Sequence, residues 1–221
     1  MSILAETQRV LETARARADS ILVAYSGGKD SKVVLDLCLR TFKRVEAFHM
    51  ALVPGLDCIE QELEETRRKY GIKIRIYPHW LARKLIANGV FTNTYYTHDD
   101  LPEWKLADVY ALAMVEAGID TIMTGAKKSD SSWRARFMST FRPDGVLNPI
   151  AGWHKYDVLA YLRAHGIPEP PSSGHSATGI DLSSGSLLWL HDAFPADFEK
   201  LCRVFPFAEA VIWKRKFYGE C

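Results

Sequence analysis

Cysteine is scarce in this chain and is never clustered. The four cysteines among 221 residues form no Cys-x-x-Cys or adjacent pair; they are Cys38, Cys58, Cys202 and Cys221. Zinc sites and iron–sulfur clusters need several such ligands at short spacing. A chain of this length can also bury a real core without disulfides. The sequence therefore predicts no bound iron–sulfur cluster, no structural zinc and no disulfide scaffold.

Long apolar runs and an excess of one charge are also missing. No apolar segment approaches the roughly 20 residues that a membrane-spanning helix needs. Residues 1–6 lack the basic-then-apolar order of a secretion signal. We therefore expect a cytoplasmic protein without membrane contact. The formal net charge is +1, which is too small for the strong positive field of a general nucleic-acid coat. Nucleic acid is therefore not indicated as a partner.

What the chain does contain is an alternation of apolar runs and amphipathic segments. Leu4, Leu11 and Ala18 at heptad spacing predict a first helix over 3–18. Short apolar runs predict strands, and the segments between them predict helices; the strands are 21–25, 45–50, 72–77 and 121–124. This order predicts an α/β fold with a doubly wound parallel sheet and helices on both faces. Ligands bind such sheets at the carboxyl ends of the strands.

A glycine-rich loop follows the first predicted strand, and it consists of Ser26, Gly27, Gly28, Lys29, Asp30 and Ser31. Its small residues let the backbone turn tightly and bring N–H groups close to an anion. The following helix adds partial positive charge at its N-terminus, and Lys29 adds a full charge. A Walker A loop is excluded because Lys29 is followed by Asp30. The loop therefore predicts a phosphate site, the alternative being an ordinary glycine turn.

This hexapeptide resembles the Ser-Gly-Gly-x-Asp-Ser signature of the PP-loop, or ATP pyrophosphatase, superfamily, whose members bind ATP-like nucleotides and act at the α-phosphate. The resemblance implies an adenine nucleotide alpha hydrolase-like domain over 1–175 and a catalytic role for Lys29. A helical extension over 176–221 would pack on or near the active site. Because the second strand borders the crevice in this topology, we expect adenine near Phe48 and Met50.

A second polar segment, 125–136, follows the fourth predicted strand. It resembles the Gly-x-Arg-x-x-Glu-Ser-x-x-Arg segment of phosphoadenosine phosphosulfate (PAPS) reductases and of ATP sulfurylase small subunits. All five positions match in spacing, with Lys127 in place of arginine and Asp130 in place of glutamate. Lysine lacks the bidentate fork with which arginine holds an oxyanion. The nucleotide-binding residues implied here are Gly125, Lys127, Lys128, Arg134 and Arg136. Without the resemblance, a solvated charged loop is the alternative.

Two further parts of the sequence help to identify the family but suggest no additional catalytic residue. Residues 148–162 resemble its Pro-Ile, Trp, Asp-Val, Tyr-Leu segment, and we expect them to be mainly structural. His175 lies where the adenylylsulfate-reducing branch has cluster cysteines, which implies the cluster-free branch. The histidine would contact the nucleotide or cap a loop.

The last residues of the sequence contain the candidate for a nucleophilic cysteine. PAPS reductases use a thiolate in a Glu-Cys-Gly-Leu/Ile-His tail, and only Glu220 and Cys221 match it here. Basic residues at 214–216 would favour the thiolate, whereas the adjacent α-carboxylate opposes it. The other three cysteines are expected to be small buried apolar residues in helices. The aromatic residues of 189–218 are expected to pack on the core, the alternative being a partner surface.

The resemblance implies three alternative functions. The first is thiol-dependent reduction of PAPS to sulfite and 3′,5′-bisphosphoadenosine by Cys221, with thioredoxin or glutaredoxin as reductant. The second is adenylyl transfer, in which ATP binds with Mg²⁺ and sulfate or a sulfur-acceptor substrate attacks the α-phosphate. The third is a non-catalytic nucleotide-binding subunit. A homo-oligomer or a complex with a partner subunit would suit each of them.

Overall fold

The computed structural model describes residues 3–93, 103–170 and 181–219. Its sheet contains β1 Ser20–Ala24, β2 Arg44–Ala51, β3 Ile74–Pro78, β4 Ile122–Met123 and β5 Val146–Leu147. All adjacent strands are parallel, in the order β3-β2-β1-β4-β5. The central strand is apolar on both faces, as helix-covered parallel strands are, and Ile21, Leu22 and Val23 are at most 1% exposed.

One helix precedes the first strand, and the others lie between and after the strands. They are α1 Ile3–Arg15, α2 Lys29–Thr41, α3 Asp57–Tyr70, α4 Ala82–Ala87, α5 Leu106–Ala117, α6 Ser132–Phe137, α7 Lys155–Ala164, α8 Ser184–Ala193, α9 Pro195–Val204 and α10 Glu209–Tyr218. None of the helices in the described ranges is long and apolar enough to cross a membrane.

The helices cover both faces of the sheet because successive strand residues point to opposite sides. Ile21 and Val23 pack in one core with α1, α2, α3 and α7. Leu22 and Phe48 pack in a second core against α5. The predicted doubly wound parallel sheet with helices on both faces is therefore confirmed.

The helical C-terminal extension is also confirmed, and it has a core of its own. Side chains of α8 and α9, among them Leu187, Leu190 and Leu201, pack against Val53 and Leu56 in the turn between β2 and α3. The expected boundary at 175/176 lies outside the described residues.

The aromatic residues of this extension divide into two groups. Phe198 and Phe205 are buried in the third core, as expected. In contrast, Trp213, Phe217 and Tyr218 on α10 are 51%, 69% and 84% exposed. Core packing is therefore the wrong interpretation for these three aromatic residues, although Val211 and Ile212 of the same helix pack against the third core.

Several local predictions needed correction. Helix α1 ends at Arg15 rather than at residue 18, and Leu4 is 60% exposed. The buried side of α1 is formed by Thr7, Val10, Leu11 and Ala14. The heptad interpretation was wrong because Leu4 lies in the exposed first turn and Ala18 lies beyond the end of the helix, while the buried positions follow the three- and four-residue spacing of a helix face. Strand β5 was missed because its two apolar residues lie between residues typical of turns, Gly145 before them and Asn148 after them.

Candidate functional site

The candidate site lies where the strand order reverses. Strands β1 and β4 are neighbours in the sheet but are separated in the chain by β2 and β3. The loop 26–31 leaves the carboxyl end of β1, and the segment 125–130 leaves the carboxyl end of β4. In open α/β sheets this point opens a crevice in which ligands bind. The two richest polar segments therefore meet at one crevice, as the sequence predicted.

Glycine and serine set the shape of the loop 26–31. Gly27 has a φ of +75°, a left-handed conformation that favours glycine. Gly28 is the N-cap of α2 and provides no side-chain cap. Ser31 Oγ donates to the Gly28 carbonyl at 2.9 Å, and the Gly28 N–H donates to Ser26 Oγ at 3.3 Å. The loop is thus braced internally while the α2 N-terminus is left without a side-chain cap, which suits anion binding.

Gly125 lets the second segment approach the first. A Cβ atom added at Gly125 would lie 3.0 Å from the carbonyl carbon of Asp30 and 3.1 Å from the backbone nitrogen of Ser31. Both are backbone atoms, which cannot move aside as a flexible side chain would. Glycine is therefore required at this position for the two loops to touch.

An alternating series of five charges joins the two loops. Lys29 Nζ lies 3.0 Å from Asp30 Oδ2, and Lys127 Nζ lies 2.8 Å from Asp30 Oδ1. Lys127 Nζ also lies 2.9 Å from Asp130 Oδ1, and Arg134 Nη1 lies 2.6 Å from Asp130 Oδ2. With three cations and two carboxylates, the series is positive by one charge. We call these residues, Lys29, Asp30, Lys127, Asp130 and Arg134, the charge series.

Lys127 is the buried centre of the charge series, and its side chain is 4% exposed. Its contact with Asp30 Oδ1 is electrostatic rather than a directed hydrogen bond, because that buried oxygen has no hydrogen-bond partner of suitable geometry among the described residues. Burial raises the pKa of Asp130, but its hydrogen bonds to Lys127 and the nearby charges outweigh this, so the pKa lies below its usual value. The Asp130 carboxylate is therefore held in the charged form.

The remaining predicted residues of the second segment lie apart from the loop. The backbone N–H of Lys128 donates to the Ala151 carbonyl, and its side chain is exposed. Arg136 is exposed, with its guanidinium 5.4 Å from the Phe137 ring centroid. Neither side chain is joined to the charge series, so their predicted role in phosphate binding remains a prediction.

The two residues expected near adenine differ in exposure. The Phe48 ring is 1% exposed and packs edge-on against Tyr77 and Tyr110, at centroid distances of 5.9 and 5.8 Å. The ring belongs to the core beneath β2, and the position of adenine near Phe48 and Met50 stays a prediction. Met50, near the carboxyl end of β2, is only half-buried.

Sequence analysis missed a polar cluster next to the loop 26–31, formed by Tyr25, Lys32 and Glu62. Tyr25, the residue before the loop, donates its hydroxyl to Glu62 Oε1 at 2.7 Å. Lys32 Nζ in α2 donates to Glu62 Oε2 at 2.9 Å. A Cβ atom on Gly27 would lie 3.2 Å from Glu62 Cγ. The signal was weak because Glu62 is far from the loop in the chain and has no recognisable motif of its own.

The described cysteines do not provide a ready thiolate. Burial raises the pKa of Cys38 well above its usual value, and it raises the pKa of Cys202 to about 11. Burial and the hydrogen bond to Asp197 raise the pKa of Cys58 to about 12. Cys38 is buried as expected, whereas Cys58 and Cys202 are only half-buried.

Two predicted residues, His175 and Cys221, lie outside the described residues. Within the described ranges, no three His, Cys, Asp or Glu side chains come together as a metal site. The predicted absence of bound iron and zinc stays a prediction.

The structural role expected for 148–162 agrees with the contacts of this stretch. Trp153 is 2% exposed, and its Nε1–H donates to Thr7 Oγ1 at 2.8 Å. Ser129 Oγ donates to the Trp153 carbonyl at 2.9 Å. Trp153 is thus a buried residue that holds the second polar segment in place through its carbonyl group.

Residues 20–171 match the phosphoadenosine phosphosulfate reductase domain. The match spans more than half of the chain, and the chain therefore belongs to this family, within the PP-loop superfamily.

Individual relatives are more distant. The sulfate adenylyltransferase subunit 2 of Burkholderia lata is 24% identical, over 85% of this chain and 72% of that protein. The argininosuccinate synthase of Thiobacillus denitrificans is 31% identical, over 67% of this chain and 40% of that protein. The chain thus spans only about two fifths of this synthase.

Solved structures support the fold. A PAPS reductase from Candida auris in a phosphate complex aligns with a TM-score of 0.54 at 19% identity, covering 78% of this chain and 87% of that one. An NH3-dependent NAD synthetase from Campylobacter jejuni aligns with a TM-score of 0.51 at 15% identity, covering 100% and 98%. At these identities the likeness concerns the fold alone.

Proposed function

We propose that this chain binds ATP at the loop 26–31 and transfers its adenylyl group, by attack of an acceptor oxygen on the α-phosphorus. The observation that carries the proposal is the meeting of the uncapped N-terminus of α2 with the charge series. A polyphosphate chain needs several N–H donors and cations at one place, and this crevice provides both.

Each part of the crevice has a separate task in this proposal. The backbone N–H groups of Gly27 and Gly28, with the Ser31 hydroxyl, would hold the β- and γ-phosphates. The Gly28 N–H and the Ser31 hydroxyl would exchange their hydrogen bonds within the loop for bonds to phosphate oxygens. Lys29, whose side chain is 18% exposed, would stabilise the negative charge that develops on the departing pyrophosphate. Arg134, at the far end of the charge series, would face the acceptor or the α-phosphate.

Mg²⁺ accompanies ATP in such chemistry and fits the residues present. Asp30 Oδ1 has Lys127 Nζ at 2.8 Å but no hydrogen bond of suitable geometry, so it could exchange this contact for an ion. Mg²⁺ typically takes one or two carboxylates together with phosphate oxygens and water. Asp30, with Asp130 as a second candidate, would hold the ion. The bound ion would supply charge compensation for the phosphates.

One comparison favours adenylyl transfer over thiol chemistry. A curated relative that matches 85% of this chain bears the name sulfate adenylyltransferase subunit 2. The proposed acceptor of the adenylyl group is therefore sulfate, or a substrate that is activated in this way before it accepts sulfur. That name also supports action as a subunit of a complex, including a non-catalytic one. The three described cysteine thiols all have raised pKa values, which opposes nucleophilic attack by them and leaves Cys221 as the cysteine that a thiol reaction would need.

Thiol-dependent reduction of PAPS is the second candidate, and the family name and the match in residues 20–171 favour it. In this reaction the Cys221 thiolate would attack the sulfur of the phosphosulfate group. The sulfur–oxygen bond to the phosphate would break, and 3′,5′-bisphosphoadenosine would leave with the electron pair. A thiol of thioredoxin or glutaredoxin would then attack the S-sulfonated cysteine, release sulfite and form a disulfide.

A paired assay on wild type and Cys221→Ser separates the two candidates. Adenylyl transfer predicts that both proteins release pyrophosphate from ATP with Mg²⁺ and sulfate at equal rates. Reduction predicts that only the wild type releases sulfite from PAPS with thioredoxin, and that a single turnover leaves a sulfonate on Cys221, detectable by mass spectrometry. Sulfite release that depends on Cys221, without pyrophosphate release, would overturn the adenylyl-transfer proposal.

A further inference from the structure

One buried carboxylate of the C-terminal extension caps a helix that follows β2. Asp197 in α9 is 1% exposed. Its Oδ1 accepts from the backbone N–H of Asp57 at 2.8 Å, and its Oδ2 accepts from the backbone N–H of Cys58 at 2.8 Å. These are the first two residues of α3, whose own N-cap, Leu56, makes no side-chain hydrogen bond. A residue about 140 positions away along the chain thus caps this helix.

A lysine one turn further along α9 strengthens the same junction. Lys200 Nζ lies 3.1 Å from Asp197 Oδ1 and 2.7 Å from Asp57 Oδ1, and it donates to the Gly55 carbonyl at 2.8 Å. The turn between β2 and α3 is therefore held by two side chains of the extension. Both lie outside the family-matched residues 20–171.

Helix α3 carries this constraint to the phosphate loop. In its second turn, Glu62 accepts hydrogen bonds from Tyr25 and Lys32, on either side of the loop. The Glu62 side chain also lies against Gly27, where an added Cβ would meet its Cγ at 3.2 Å. An unbroken path of contacts therefore leads from Asp197 through α3 and Glu62 to Gly27.

We propose that Asp197 is a positioning residue of the nucleotide site, which acts by capping α3 and thereby fixing Glu62 against the loop 26–31. The proposal rests on the proposed function in so far as that loop binds ATP. It assigns the extension a role in nucleotide affinity as well as in folding. Asp197 would contact neither nucleotide nor acceptor.

A purely structural cap and a positioning residue differ in one measurable respect. Loss of a structural cap lowers the thermal midpoint but leaves the affinity of the folded protein unchanged. Loss of a positioning residue also weakens binding at temperatures where the protein is fully folded. Asparagine at position 197 offers one acceptor oxygen for the two N–H groups that Asp197 holds, and the loss of one hydrogen bond corresponds to about three- to tenfold in an equilibrium constant.

The test uses Asp197→Asn, with Asp192→Asn as a matched control. Asp192 lies in the same extension and pairs with Arg215, but it is 53% exposed and belongs to α8. Calorimetric titration with ATP and Mg²⁺, well below the thermal midpoint, should show a Kd about three- to tenfold higher for Asp197→Asn and within about twofold of wild type for Asp192→Asn. Hydrogen exchange should be faster at the amides of 57–58 and 27–29 in Asp197→Asn alone.

A second variant keeps the proposal testable if Asp197→Asn does not fold. Glu62→Gln leaves the cap intact but removes the charge that holds Lys32, so it should weaken ATP binding without faster exchange at 57–58. An unchanged Kd in Asp197→Asn, with a lowered thermal midpoint, would overturn the proposal, as would an unchanged Kd in Glu62→Gln. A wild type that does not bind ATP would instead contradict the proposed function. The exchange at 27–29 would still report whether the cap reaches the loop.

Discussion

The two loops that meet at the crevice hold their lysines in opposite ways. Lys29 has one carboxylate at 3.0 Å, and its side chain is 18% exposed at the start of α2. Lys127 lies between two carboxylates at 2.8 and 2.9 Å and is 4% exposed. The first arrangement leaves a cation that a ligand can reach, whereas the second uses its cation to hold the loops together. We therefore expect two different tasks from lysines that sequence analysis grouped as one phosphate-binding set.

The largest effect is expected from the backbone of the first loop. Gly28→Val places a branched side chain where the N–H groups must approach a phosphate, and an added Cβ would already lie 3.3 Å from Ser26 Oγ. Loss of two charge-assisted hydrogen bonds would lower ATP affinity at least about a hundredfold. Gly152→Val is the control, because no atom lies within 4 Å of a Cβ at that position. Calorimetry that shows equal affinity for both variants would remove the phosphate-site assignment.

The next effect concerns the accessible lysine. Lys29→Ala should lower ATP affinity about tenfold or more, since a hydrogen bond to a charged group is lost, and it should leave the urea midpoint near that of wild type. Lys155→Ala, on the exposed surface of α7, should change neither quantity. A variant at Lys29 that unfolds more easily yet binds ATP normally would reverse the proposed difference between the two lysines.

The buried lysine should act mainly on stability. Lys127→Met leaves Asp30 and Asp130 facing each other without the cation between them. We expect a loss of about 2–3 kcal/mol in the free energy of unfolding, below the usual range for broken buried pairs because both carboxylates are partly exposed. Urea unfolding measures it. Asp130→Asn in the Lys127→Met background should recover part of the loss, and no recovery would contradict the charge-series account.

The smallest effect is a difference in acid sensitivity. The pKa of Asp130 is lowered in the folded protein, so its contribution to stability is present above the unfolded pKa of about 3.9. That contribution is lost as the pH falls through the lower, folded pKa. The urea midpoint of wild type should therefore fall more between pH 5 and 3 than that of Asp130→Asn. Parallel curves for the two proteins would show that Asp130 is not held in the charged form by its neighbours.

Sequence patterns predicted the features that depend on neighbours in the chain. The alternation of apolar runs gave the parallel sheet, and the spacing of Ser26–Ser31 and Gly125–Arg134 located the two loops. The patterns failed where tertiary packing decides. Neither the burial of Lys127 nor that of Phe48 can be read locally, because each depends on elements far away in the chain. Sequence analysis missed Glu62 and Asp197 for the same reason. The hydrogen-bond partners of each residue lie on other elements of the fold, far away in the chain.

The central claim is that the loop 26–31 is a site for ATP. Calorimetric titration of the wild type with ATP and Mg²⁺, PAPS and 3′,5′-bisphosphoadenosine, under one set of conditions, tests it most directly. We expect ATP with Mg²⁺ to bind more tightly than the other two nucleotides, because its triphosphate uses both the α2 N-terminus and the charge series. Tighter binding of PAPS, or no heat with ATP and Mg²⁺, would contradict this account.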